Sequence, residues 1–101
     1  LVFILQRGVR FPQGPPKIMY YYTYMIKSIS PGTKKTYVGY TNNILTRLEK
    51  HNSNKGAKST KGYKWLLIYS KKFKSKSDAM SFEYKLKNNK LLRKEILENS
   101  N

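Results

Sequence analysis

The fold is decided by residues 20–40, which read YYYTYMIKSISPGTKKTYVGY. The run over residues 20–27 is rich in aromatic and β-favouring residues and contains neither glycine nor proline. Residues 30–33, SPGT, supply turn chemistry, and a second β-like run follows over residues 35–40. Two such runs joined by a short turn predict an antiparallel hairpin.

The rest of the chain predicts one more strand and three helices. Asn42 or Asn43 is placed to cap the first helix, and Ser75 or Ser77 the second. Residues 53–64 lack periodicity and predict an exposed basic loop. The remaining expected elements are a helix to about residue 52, an apolar strand at 65–69, a helix at 78–88 and a last helix at 91–97. The order ββαβαα predicts an α+β domain in which helices flank a three-stranded, mainly antiparallel sheet.

Residues 1–18 differ in composition from the chain that follows them. They contain three of the four prolines, whereas a uniform stretch rich in Lys, Asn and Tyr opens at Met19. We therefore expect one domain over residues 19–101, preceded by an N-terminal extension or a vector-derived segment. A native arm that adds residues 1–5 to the sheet as an edge strand is the alternative.

The charge balance indicates a polyanionic partner. Twenty-one Lys and Arg residues against five Asp and Glu residues give a formal net charge of +16. Nucleic acid is the leading class of partner, because Lys and Arg that neutralise phosphates release condensed counterions. A membrane surface is the weaker candidate, since the lysines are scattered over loops and helices rather than gathered on one amphipathic helix. No run reaches the ~18 apolar residues of a membrane span, and we expect an intracellular protein whose compartment the sequence leaves open.

Few side chains in this sequence could bind a metal ion. The chain has no cysteine, one histidine and five acids, at positions 49, 78, 83, 95 and 98. Glu83 stands out, because the helical period places it on the face that carries Ala79, Phe82 and Leu86. One carboxylate, together with waters and substrate phosphate, is enough to hold Mg²⁺ or Mn²⁺. The alternative is an ordinary helix acid paired with Lys87.

Arg47 and His51 lie one turn apart on the first predicted helix and share a face. Arg47 is the only arginine between Met19 and Leu92, and its planar fork fits the oxygens of a phosphate better than the surrounding lysines do. An exposed surface role is the alternative for Arg47, and a core or surface histidine is the commoner fate of a residue such as His51. A phenol needs cationic surroundings to act as a base, and the net charge supplies that bias.

The order of these residues resembles that of the GIY-YIG nuclease superfamily. The tripeptide YTY at 22–24 stands for a degenerate GIY, and YVG at 37–39 stands for YIG. Arg47 follows ten residues after the second tyrosine, then come His51 and, on a later helix, Glu83. The resemblance spans about residues 20–88, and it is the ordered set rather than any one tripeptide that carries it.

The resemblance implies roles for the site residues. Tyr37 would be the general base or would orient the attacking water, with Tyr24 as its neighbour across the hairpin. Arg47 would hold the phosphate, and Glu83 would be the single metal ligand, for Mg²⁺ or Mn²⁺. His51 would assist proton transfer or orient water.

Two positions depart from the family pattern. Tyr22 stands where GIY begins with glycine, and Tyr40 stands where some members carry a lysine. We expect a lysine of the basic loop to set the local charge instead. The residues expected to contact DNA are Lys55, Lys58, Lys61 and Lys64.

These observations favour a metal-dependent DNA endonuclease that nicks one strand per active site. It would act on duplex, flap or branched DNA, as a monomer or a weak homodimer, and a structure-specific role in DNA repair or recombination would fit. A catalytically inactive DNA- or RNA-binding module on the same fold is the alternative. A ribosome- or membrane-associated basic protein is a third reading, which explains the lysines alone.

Overall fold

The structure is a computed structural model, which describes residues 19–100. The elements are β1 (Tyr21–Ser28), β2 (Thr36–Thr41), α1 (Ile44–Asn52), β3 (Trp65–Phe73), α2 (Lys76–Lys87) and α3 (Lys90–Asn99). A single 3₁₀ turn, Lys58–Thr60, lies in the long connection between α1 and β3. The predicted order ββαβαα and the α+β class are confirmed. The expected N-terminal extension and its alternative as an edge strand fall outside the described residues.

The three strands form one antiparallel sheet in the order β2-β1-β3. In the hairpin of β1 and β2, Tyr24 lies opposite Gly39 and Ile26 lies opposite Tyr37. The turn between these strands passes through Gly32, whose φ of +78° is a conformation that glycine adopts without steric cost. This register places the two tyrosines of the family pattern on neighbouring strands.

β1 is the central strand and separates two apolar cores. Successive side chains of a strand point to opposite faces of the sheet. Tyr24 and Ile26 therefore pack toward α1, and Met25 packs toward α2 and α3. The first core contains Tyr24, Ile26 and Trp65 with Leu48 of α1, and the second contains Met25, Val38, Leu86 and Ile96. Since each fully buried large apolar side chain contributes about 1.5–3 kcal/mol, these cores fix both helix layers against β1.

Polar residues immediately before the three helices act as N-caps. The side-chain oxygens of Asn43, Ser75 and Asn89 each accept a hydrogen bond from the backbone N–H three residues later, at 3.0–3.1 Å. Such caps satisfy N–H groups that have no partner inside the helix. Of the alternatives in the sequence, Asn43 and Ser75 are the residues used.

Two segments differ from the sequence expectation. β3 continues to Phe73 instead of ending at residue 69, because the backbones of Lys71 and Lys72 still pair with β1 while their side chains stay exposed. The segment 53–64 is not uniformly exposed, since Thr60 is completely buried. Among the helices of residues 19–100, none has the length and apolar character needed to cross a membrane.

Candidate active site

One cleft brings together four of the five side chains that the sequence singles out. It encloses about 440 Å³, and Tyr24, Tyr37, Arg47 and Glu83 line it. These residues belong to four different elements, β1, β2, α1 and α2. The fifth residue, His51, lies behind Tyr24 instead of on the cleft wall. The wall also includes residues that the sequence argument did not assign to the site, among them Tyr40, Asn42 and Lys76.

Gly39 allows the two tyrosine rings to lie against the backbone of β2. A β carbon at this position would stand 2.6 Å from the Tyr24 hydroxyl oxygen and 3.1 Å from Cε2 of Tyr37. The centroids of the two rings are 6.4 Å apart. The glycine of YVG is therefore a steric requirement of this pair of rings.

His51 links the cleft to the connection between α1 and β3. Its side chain is completely buried, with Nε2 2.8 Å from the Tyr24 hydroxyl oxygen and Nδ1 2.9 Å from the Thr60 hydroxyl oxygen. The Tyr37 ring packs against it at a centroid distance of 5.0 Å. Burial lowers the pKa of His51, and the charge of Arg47 lowers it further. His51 is therefore neutral at physiological pH, with one ring nitrogen available as an acceptor.

Tyr24 is a neutral phenol. Burial raises the pKa of its hydroxyl above the ordinary value of 10.0, and the neighbouring Tyr37 and Glu83 add to that increase. The charge of the nearby Arg47 acts in the opposite direction and lowers this pKa. The expectation that net positive charge favours a phenolate does not hold at Tyr24, because desolvation of a buried anion outweighs one nearby cation.

Glu83 lies on the wall of the cleft with its side chain 18% exposed. Its carboxylate Oε2 lies 3.5 Å from Nζ of Lys87, one helical turn away, and that lysine side chain is 51% exposed. The pair with Lys87 that the sequence offered as an alternative is present, and the same carboxylate lines the cleft. Because an exposed pair of this spacing contributes only about 0.3–0.5 kcal/mol, Lys87 holds the carboxylate weakly.

The donor set of the cleft fits a hard divalent cation that takes one ligand from the protein. Within residues 19–100, no three His, Asp or Glu side chains come together, so Glu83 is the carboxylate available at the cleft. Mg²⁺ commonly keeps several waters and takes one or two carboxylates together with substrate phosphate. The weak pair with Lys87 is compatible with exchange for such a cation.

The lysines near the site divide into two groups. The predicted DNA-binding set, Lys55, Lys58, Lys61 and Lys64, is exposed along the connection between α1 and β3 and does not line the cleft. Lys76, in the first turn of α2, does line it. A signal for Lys76 was present in the sequence, because residues 76 and 83 are two helical turns apart and share a face. The ammonium group of Lys76 therefore brings a positive charge from α2 to the cleft.

Comparison with known proteins identifies similar chains. A family model described as GIY-YIG catalytic domain matches residues 20–95. UPF0213 proteins of Oceanobacillus iheyensis, Staphylococcus haemolyticus and Lactococcus lactis are 50%, 41% and 44% identical over 52, 68 and 78 residues. These matches cover 50%, 66% and 76% of this chain and 60%, 79% and 71% of the relatives. The solution NMR structure of a UPF0213 protein from Bacillus halodurans is 36% identical, covers 80% of this chain and 84% of that chain, and gives a TM-score of 0.43.

The family model spans more than half of the chain, and the matched residues include all four of the singled-out side chains that line the cleft. The Staphylococcus relative is matched over 79% of its own length. The chain spans 60% of the Oceanobacillus relative. This chain belongs to the GIY-YIG superfamily and, within it, to the UPF0213 family.

Proposed function

We propose that the chain is a metal-dependent DNA endonuclease that hydrolyses one phosphodiester per active site. The observation that supports this function is the meeting of Tyr24, Tyr37, Arg47 and Glu83 in one cleft of a strongly basic chain. A protein that only binds nucleic acid gains nothing from a carboxylate beside its arginine, because the acid repels phosphate. A cation bound at Glu83 would reverse that repulsion.

Arg47 is the phosphate ligand in this proposal. Its planar fork can donate two parallel hydrogen bonds to non-bridging oxygens, and its charge stabilises the negative charge that develops there during displacement. In the proposal, the Tyr24 oxygen on the same cleft accepts a hydrogen bond from the guanidinium and orients it. Lys76 adds a second positive charge on the same cleft.

Tyr37 is the residue that we assign to the attacking water, as general base or as the group that orients it. Tyr37 is half-buried, whereas Tyr24 is buried and its raised pKa makes it a poor base. Attack by water in line with the leaving oxygen breaks one P–O bond and leaves a nick in one strand. Cleavage of both strands would require two protomers or two events.

Glu83 is the residue that would hold Mg²⁺ or Mn²⁺. When bound, the cation supplies Lewis-acid stabilisation to the phosphate oxygens. Glu83 contributes one carboxylate and leaves the remaining positions to waters and substrate, which is how Mg²⁺ is held at many phosphate sites. Lys87 lies 3.5 Å from this carboxylate and partly balances its negative charge.

The exposed lysines are proposed to bind the DNA backbone outside the cleft. Lys55, Lys58, Lys61 and Lys64 present positive charge without the geometry for reading bases, and phosphate contacts of this kind position a duplex rather than select a sequence. We propose that the protein acts on DNA inside the cell, as a monomer or a weak homodimer. The proposed substrates are duplex, flap or branched DNA, and the proposed role is in DNA repair or recombination.

The proposal is tested by incubating the full chain with labelled duplex, flap and branched DNA in the presence of Mg²⁺ or Mn²⁺. We expect nicking that EDTA abolishes and that Glu83→Gln reduces by about a hundredfold or more, since the substitution removes the negative charge that would hold the cation. Glu95→Gln, an exposed acid on α3, is the matched control and should nick like the wild type. Equal nicking by wild type and Glu83→Gln would contradict the assigned metal site.

A second set of variants separates chemistry from binding. Tyr37→Phe and Arg47→Lys should lose most of the nicking activity while they still bind DNA in a gel-shift assay, because the charged surface is unchanged. Tyr84→Phe alters a side chain that is 71% exposed on α2, and it should behave as the wild type does. Binding by every protein without nicking on any substrate or metal would favour the inactive binding module.

A further inference from the structure

We infer that Thr60 is a positioning residue of the active site, because its hydroxyl holds His51 in the tautomer that carries hydrogen on Nδ1. In that tautomer Nε2 accepts a hydrogen bond from the Tyr24 hydroxyl, and the Tyr24 oxygen turns its lone pairs toward Arg47. The effect on nicking rests on the proposed function. The assignment of the His51 tautomer does not depend on the proposed function.

The direction of the hydrogen bonds follows from the shortest contact in the group. The Thr60 hydroxyl oxygen lies 2.7 Å from the carbonyl oxygen of Ala57. Two oxygens at this distance share a hydrogen bond. The hydroxyl of Thr60 is the donor, because the carbonyl oxygen carries no hydrogen. The Thr60 oxygen therefore acts as an acceptor toward its other neighbour, Nδ1 of His51 at 2.9 Å. Nδ1 must be the nitrogen that carries hydrogen.

The second ring nitrogen then follows. His51 is buried and its pKa is lowered, so the ring is neutral and has one hydrogen. With that hydrogen on Nδ1, Nε2 is an acceptor. The hydroxyl of Tyr24, 2.8 Å away, donates to it. The Tyr24 oxygen then keeps its acceptor capacity for Arg47, which lines the same cleft and acts on this hydroxyl electrostatically.

Because these side chains are buried, their hydrogen bonds have to be made within the protein. Tyr24 is 2% exposed, and His51 and Thr60 are not exposed at all. Bulk water therefore cannot replace a missing partner, and a buried polar group without one is strongly disfavoured. The 3₁₀ turn holds Thr60 in place through its own backbone, whose N–H donates to Ala57 and whose carbonyl accepts from the Trp65 indole N–H at 3.0 Å.

The consequence lies at the cleft. A phenol whose hydrogen points inward, toward His51, offers only acceptors to the cleft. It can therefore accept a hydrogen bond from the guanidinium of Arg47 and orient it. A phenol with its hydrogen turned outward would point its O–H at the guanidinium N–H groups, and two donors do not form a hydrogen bond. Thr60 thus acts on Arg47 through two intervening side chains, and it touches neither substrate nor metal in this assignment.

The test begins with the wild-type full chain labelled with ¹⁵N at histidine. His51 is the chain's one histidine, so a long-range ¹H–¹⁵N correlation spectrum at neutral pH reports its tautomer without overlap. We expect a protonated Nδ1 and an unprotonated Nε2. Observation of a protonated Nε2 in the wild type would overturn the inference, and this measurement requires neither a variant nor activity.

Two substitutions then separate the hydroxyl from the shape of the side chain. Thr60→Val keeps the shape and removes the acceptor, so it should shift His51 toward the Nε2–H tautomer or toward a mixture. Thr60→Ser keeps the hydroxyl and should retain the wild-type spectrum. An unchanged tautomer in folded Thr60→Val, with folding checked by circular dichroism, would overturn the role of the hydroxyl.

The activity arm distinguishes this inference from the proposed function. If the wild type nicks DNA, Thr60→Val should lower kcat by about tenfold, the scale on which outer hydrogen-bond partners of site histidines act. KM should change little, and Thr60→Ser should restore kcat. Equal kcat in Thr60→Val and wild type would contradict positioning, whereas a wild type that never nicks contradicts only the proposed function.

Discussion

At the scale of single residues, the site depends on two positions that carry no side chain. Gly39 faces the ring of Tyr24, and a β carbon at Gly56 would lie 2.5 Å from Nδ1 of His51. Real β carbons do not approach other atoms so closely, and both rings are buried. The two glycines therefore hold the linked tyrosine and histidine between two stretches of backbone.

Gly39→Ala should remove nicking activity and lower the free energy of unfolding by about 1–3 kcal/mol, the range for overpacking a filled interior. The added carbon would displace the Tyr24 ring from His51 and Arg47. Gly32→Ala is the control, because φ of +78° strains that position although no atom lies within 4 Å of its added carbon. Urea denaturation and a nicking assay should show both variants destabilised and only Gly39→Ala inactive. An active Gly39→Ala would contradict the steric role.

His51 should make the protein less stable in acid. Its pKa is lower in the folded chain than the ordinary value of 6.5, so below that value the unfolded chain binds a proton that the folded chain excludes. The contribution of His51 to the free energy of unfolding is therefore fully present at neutral pH. It falls on acidification, by at most about 1.4 kcal/mol per pH unit. Urea denaturation from pH 7.5 to pH 5 should give a steeper decline in wild type than in His51→Gln. Parallel declines would show that His51 is not the group responsible.

At the scale of elements, Asn52 fastens the end of α1 to the start of β3. Its side-chain oxygen accepts a hydrogen bond from the Trp65 backbone N–H at 2.6 Å, and its amide nitrogen donates to the Trp65 carbonyl at 3.3 Å. The same strand end supplies the Trp65 indole that binds Thr60. Asn52 thus connects the helix that carries Arg47 with the segment that carries Thr60.

Asn52→Ala should lower the free energy of unfolding by about 1–3 kcal/mol, because it leaves the half-buried backbone groups of Trp65 without their partner. The matched control is Asn99→Ala at the exposed end of α3, which should stay within about 0.5 kcal/mol of wild type. Urea denaturation compares the two. A stability loss in Asn99→Ala equal to that in Asn52→Ala would point to a general effect of asparagine removal.

The sequence predicts the elements well where the cause is local. Caps at Asn43 and Ser75, the turn before β2 and the alternation along β1 all follow from neighbouring residues. The burial of Thr60 does not, because it depends on His51 and Trp65, which approach only when the sheet has formed. The extension of β3 through its lysines likewise depends on pairing with β1, which a window of local composition cannot show.

At the scale of the whole molecule, the net charge of +16 dominates any encounter with nucleic acid. The positive charge is spread over the surface, and within the cleft it is concentrated at Arg47 and Lys76. The order of Tyr24, Tyr37, Arg47 and Glu83 along the chain is enough to predict which side chains meet. That order alone does not predict which of the many lysines joins them, and the one signal for Lys76 is its spacing of two helical turns from Glu83 on α2.

The logarithm of the DNA-binding constant should fall linearly with the logarithm of salt concentration. Lys76→Ala should reduce the steepness by about 0.9, the contribution of one phosphate contact to duplex DNA. Lys94→Ala, an exposed lysine of α3 that does not line the cleft, should leave the slope unchanged. Fluorescence anisotropy at several salt concentrations measures both. A change in slope for Lys94→Ala alone would place the DNA at α3 instead of at the cleft.

Because the carboxylate of the cleft lies on α2, the cleft is completed late in the synthesis of the chain. β1, β2 and α1 emerge from the ribosome first, and they bring the two tyrosines and the arginine but no acid to the cleft. Glu83 arrives only when α2 has been synthesised and has docked on the sheet. On the proposed function, a nascent or truncated chain that ends before α2 would carry the positive charge of Arg47 without the carboxylate, and cutting would begin only after α2 has docked.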